Sequence, residues 1–135
     1  MTLQSVINAI QDVCLTVSGI KGAPDYAPEQ INVYPFVVTY PGEGSIQFGT
    51  TDEMKALHDV IVEVHVARKD LPMDMRAVAG FVDSIPAVLL ADPTLAGTCS
   101  TFQSIRYRFG ALGWGGQDTL GYRFTVVGVK VRTAL

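Results

Sequence analysis

Residues 107–124 read YRFGALGWGGQDTLGYRF, a Tyr-Arg-Phe triplet repeated on either side of a glycine-rich centre. A two-residue turn at Gly115-Gly116 sets Trp114 opposite Gln117, Phe109 opposite Tyr122, Arg108 opposite Arg123 and Tyr107 opposite Phe124. Consecutive glycines suit the positive-φ turns whose twist matches that of paired strands. Facing aromatics stabilise such a pair, whereas facing arginines repel unless a carboxylate or anion lies close. The stretch therefore predicts a β-hairpin, and the arginine pair predicts an acidic partner, expected from a neighbouring subunit.

A chain of 135 residues that is 48% hydrophobic and 17% charged can bury one core, which predicts a single α+β domain over 1–135. No apolar run approaches the ~20 residues that span a bilayer, and the N-terminus has neither basic region nor cleavage site, so no membrane partner or signal peptide is expected. Cys14 and Cys99 lack metal-ligand or redox spacing and read as buried thiols. The net charge of −3 is unevenly divided. Beyond residue 100, Arg106, Arg108, Arg123, Lys130 and Arg132 face only Asp118, while the preceding residues are strongly acidic. A chain polarised in this way can stack head to tail on its own copies. Its overall acidity argues against sequence-specific nucleic-acid binding.

Along the chain, residues 3–17 carry apolar side chains at helical spacing, with Thr2 as N-cap and Gly19 as terminator. A loop containing Pro24 and Pro28 follows. Residues 31–40 (INVYPFVVTY) predict a strand that Pro35 confines to an edge or a bulge. Residues 41–53 (PGEGSIQFGTTDE) hold three glycines and predict a mobile loop or hairpin arm with a short strand around Ile46–Phe48. In 56–69, Val60, Val62, Val64 and Val66 share a core face, and Asp59, Ile61, Glu63 and His65 share a face expected to be at least partly wet. A helix capped by Asp70, with Pro72 in its first turn, carries an apolar stripe from Leu71 to Leu89 and is expected to break near Ser84, ahead of Pro86. Residues 101–110 and 118–132 are the last strands. The apolar phase changes at Gly128, where a β-bulge fits. This order predicts a mainly antiparallel sheet with two α-helices on one face.

The search for chemistry returns little. Asp59, Glu63 and His65 on one strand face could gather a metal or serve acid–base work, but no second cluster accompanies them. His58 points to the opposite face from His65. The glycine-rich GALGWGG lacks the lysine and following Ser/Thr of a phosphate loop and precedes a strand. No catalytic, cofactor or metal residue is assigned. Arg106, Arg108, Trp114, Arg123, Asp59 and Glu63 are the candidate interface residues, with Trp114 either folded back on the sheet or anchored in a neighbour.

Three segments, INVYPFVVTYPG, VIVEVHVARKDLPMDM and FGALGWGGQDTLGYRFTVVGVKV, resemble tail terminator or tail-to-head joining proteins of long-tailed, siphovirus-type bacteriophages. The resemblance covers most of the chain in texture and element order and contains no catalytic signature. It implies a non-enzymatic subunit of a six-membered ring that caps the tail tube and stops tube polymerisation. It further implies the tail tube protein and a head connector or neck protein as partners, a lumen through which DNA passes, and a place in the virion after assembly in the host cytoplasm. Other phage neck and tail-completion proteins share this style. A small metal-dependent enzyme, or a monomeric module that binds a ligand in a deep pocket, are the remaining readings.

Overall fold

The computed structural model describes residues 2–50, 53–68, 75–76 and 78–134. In chain order come helix α1 (Leu3–Leu15), strands β1 (Phe36–Thr50) and β2 (Glu53–Ala67), helix α2 (Phe81–Leu90), and strands β3 (Ser104–Trp114) and β4 (Gln117–Ala134). The strands form one sheet in the order β1-β2-β4-β3, antiparallel throughout, and the fold is α+β. Helix α1 starts as its sequence predicts. The Thr2 hydroxyl accepts from the Ser5 N–H, and the Ser5 hydroxyl accepts from the Thr2 N–H, both at 3.1 Å. It stops at Leu15, two residues early, and Gly19 turns the chain at φ +94.

Both helices lie on one face of the sheet. Ile10, Ile85 and Leu89 pack there against Val62, Val64 and Phe124, all fully buried. The thiols of Cys14 and Cys99 are free and buried, and desolvation pushes Cys14 up to about 12. The core face of β4 changes phase where expected: Val60 pairs with Val126, but His58 pairs with Val129. The extra residue is accommodated by Gly128 at φ +68, and its N–H is taken by Asp59 Oδ1 at 3.2 Å.

Three sequence expectations are corrected. Residues 31–35 are not strand; β1 begins at Phe36, one residue after Pro35, and is an edge as Pro35 required. Of the two readings of 41–53, the hairpin arm is the one found, but its strand runs through 41–50 as a continuation of β1 along β2, with Ile46–Phe48 at its middle. Its glycines, read as loop formers, permit a bulge between Pro41 and Gly44. A Cβ on Gly42 would lie 2.8 Å from the Asp59 carbonyl oxygen, and one on Gly44 2.6 Å from that of Leu57. Helix α2 runs through Pro86 without interruption, and the break falls at Gly80. There the N–H groups of Asp83 and Ser84 and the Ser84 hydroxyl all donate to the Gly80 carbonyl, at 3.1–3.2 Å. The expected cap and first turn at Asp70, Leu71 and Pro72 lie outside the described residues. No helix among the described residues is long and apolar enough to cross a membrane.

Candidate functional site

The second face of the sheet was expected to be at least partly wet, and its central part is buried. The segment leading into β1 crosses it, so that Ile31, Phe36 and Val38 form a small second core with Tyr34, Tyr40 and Trp114 around it. Trp114 is folded back. Its indole N–H donates to the Pro28 carbonyl at 2.7 Å, and its ring lies 5.9 Å from Tyr40 and 6.1 Å from His65. Trp114 thus roofs its own sheet, the first of the two placements that its sequence context offered.

Beneath that roof lies a polar chain. Glu63 is 2% exposed, His65 and Thr119 not at all. Glu63 Oε1 accepts from His65 Nε2 at 2.9 Å, and Glu63 Oε2 accepts from Arg123 Nε at 2.8 Å and from the Tyr40 hydroxyl. Because Nε2 faces a carboxylate, it carries the proton. His65 Nδ1 lies 2.6 Å from the Thr119 hydroxyl, from which it accepts when the imidazole is neutral. Burial alone would raise the Glu63 carboxyl, but the donors from His65, Tyr40 and Arg123 outweigh it and hold it at about 2. Tyr40 moves up to about 12 through burial and its bond to this carboxylate. Arg123 is raised by its bond to Glu63.

A hydroxyl, an imidazole and a carboxylate in series have the connectivity of a nucleophilic triad. Here the hydroxyl end is sealed, because Thr119 has no exposed surface. Depressions of about 440 and 310 Å³ open on the surface, and neither is lined by Glu63, His65 or Thr119. Asp59 stands apart from the chain, bound to the β4 bulge. Among the described residues no three His, Cys, Asp or Glu side chains gather in a way that could hold a metal ion.

The hairpin registers as the sequence predicts, with Arg108 opposite Arg123, Phe109 opposite Tyr122, Tyr107 opposite Phe124 and Trp114 opposite Gln117. Its compensating carboxylate is the chain's own Glu63, across the β2–β4 pair, so the arginine pair does not by itself require a neighbour. Arg106 and Arg108 remain exposed on the β3 edge and make no ion pair among the described residues. The exposed features that sequence reasoning did not single out are apolar. On the arm, Ile46 is 63% and Phe48 85% exposed; on β3, Tyr107 is 61% and Phe109 38% exposed. Their signal lies in the alternation of apolar and polar residues on strands that end up at the two sheet edges.

The depressed Glu63 carboxyl makes acid stability a direct readout. A group that titrates near 4.5 unfolded and near 2 folded contributes fully above pH 4.5. That contribution fades as pH falls and is gone below pH 2, a swing of about 3 kcal/mol. Urea midpoints measured between pH 6 and pH 2.5 should fall steeply below pH 4.5 in the wild type. The profile of Glu63→Gln should be flatter over that interval. Parallel profiles would place the acid sensitivity elsewhere.

No protein-family model matches the chain, and no curated protein matches it.

Proposed function

We propose that the protein is a non-enzymatic structural subunit of a long-tailed phage virion. In this reading it forms a ring, six-membered by the family resemblance, that caps the tail tube, ends tube polymerisation and offers a surface to the head connector. The ring would sit in the tail or neck of the virion after assembly in the host cytoplasm. The tail assignment rests on the resemblance of the three segments quoted above. The assembly part is carried by one observation: the β1–β2 arm presents Ile46 and Phe48 to solvent, both largely exposed. Exposed aromatic and aliphatic side chains on a strand edge invite pairing with another chain. The sealed Thr119–His65–Glu63 chain supports a structural role for the most chemically suggestive residues.

Deleting the gene in the phage that encodes this chain should give tails of abnormal length that do not join heads, as seen by electron microscopy of lysates. Tails of normal length joined to full heads would overturn the proposal.

A further inference from the structure

Both outer strands of the sheet, β1 and β3, offer an edge, and the two edges differ in a complementary way. The first part of the β1 edge is already occupied. Lys21 N–H donates to the Pro35 carbonyl at 2.9 Å, and Val37 N–H donates to the Gly22 carbonyl at 2.8 Å. Beyond the bulge at Pro41–Gly44 the strand is regular again, from Gly44 to Phe48. All of these residues are exposed. On the opposite side of the molecule, residues 106–109 of β3 are exposed as well.

We infer that copies of this chain join head to tail by continuing the sheet, the arm segment Gly44–Phe48 of one copy adding to the free edge of β3 in the next. Three observations meet in this contact. The first is the match of faces. The register through β2 and β4 puts Ile46 and Phe48 on the helix-bearing face, because they pair with Ala56 and Met54. Tyr107 and Phe109 occupy the same face, because they pair with Phe124 and Tyr122, which in turn pair with Val62 and Val64. A continuous sheet therefore brings the four exposed apolar side chains together.

The second is charge. Residues 41–50 carry one charged side chain, Glu43, and β3 carries only Arg106 and Arg108. A two-fold pairing of β3 with itself would set these arginines against their own copies, whereas Gly44–Phe48 brings no cation to them and is preceded directly by Glu43. The third is direction. In a four-stranded antiparallel sheet β1 and β3 run oppositely. A following copy in the same orientation thus presents β1 antiparallel to β3, and alternation continues across the joint. Such a heterologous contact closes into a ring or propagates as a filament.

This inference deepens the proposed role by naming the subunit contact, yet self-association is measured on the purified protein and the tail role in the phage, so the two can fail separately. The test uses two variants at exposed positions. Ile46→Thr with Phe48→Thr blocks the arm with polar residues that still favour a strand, and Arg106→Glu with Arg108→Glu blocks the β3 edge. Light scattering coupled to size exclusion should show oligomers for the wild type. Each variant should associate about tenfold or more weakly. A one-to-one mixture should give a species of twice the monomer mass, because one intact arm meets one intact β3 edge. Three outcomes would overturn the inference: a wild type that stays monomeric at its highest soluble concentration, a β3 variant that dimerises by itself, or a mixture that stays monomeric. Should circular dichroism show either double variant unfolded, Phe48→Ser and Arg108→Gln replace them in the same mixing experiment.

Discussion

Glu63→Ala should lower the unfolding free energy by about 3 kcal/mol or more, enough to drop the thermal midpoint by about 10 °C. Glu63 accepts from three donors, and the substitution strands each of them differently. His65 is fully buried and would be left with an unpaired ring N–H, at a cost of about 1–3 kcal/mol. The Tyr40 hydroxyl loses its acceptor in partly buried surroundings. Arg123 is 38% exposed and recovers part of its loss from water. Arg123→Glu acts on the same group from the other side by placing a second carboxylate against a buried one. Were its acidic partner in a neighbouring subunit, that change would weaken assembly and leave the monomer folded; with Glu63 as the partner it should destabilise the monomer as well. Differential scanning calorimetry of both variants at pH 7 checks this. A loss below about 1 kcal/mol for Glu63→Ala would show that water replaces the lost partner.

A larger effect is expected from the smallest change. Gly121 lies in β4 between His65 of β2 and Gly110 of β3. A Cβ at Gly121 would sit 1.7 Å from the Val64 carbonyl oxygen and 2.9 Å from its carbonyl carbon. The obstacle is backbone of the neighbouring strand, so no side-chain rotation relieves it. Strands β2 and β4 would have to separate where Val64 and His65 are buried on opposite faces. Gly121→Ala should therefore cost more than the ~1–3 kcal/mol of ordinary overpacking and leave most of the protein insoluble on expression. Gly113→Ala is the control. It lies in the same hairpin, and its Cβ would come no closer than 3.6 Å to any of these neighbours, so it should express and melt nearly as the wild type does. Equal melting of the two variants would mean that the close approach at Gly121 relaxes without cost.

What the sequence determined by itself was set by local rules. The 3.6-residue period of 3–17, the alternation of Val60, Val62, Val64 and Val66, and the mirror placement of two Tyr-Arg-Phe triplets about Gly115-Gly116 each involve residues close in the chain. The helix, the central strand and the hairpin register were legible for that reason. The phase change at Gly128 was legible too, because a bulge leaves its mark within one strand.

Tertiary structure decided what the exposed-looking faces became. Alternation reports that a strand has two faces but not what covers each of them. Pro28 and Trp114, 86 positions apart, close over the second face and make Glu63 and His65 part of a polar chain from Thr119 to Arg123. The glycine-rich arm became strand because β2, paired with β4 on its other side, supplies a rigid ladder that outweighs weak local propensity. Pro86 stayed within its helix, and the interruption fell at Gly80, whose carbonyl takes the Asp83 and Ser84 N–H groups. The covered face and the arm both depend on contacts between distant segments, and such contacts form only once the chain has folded.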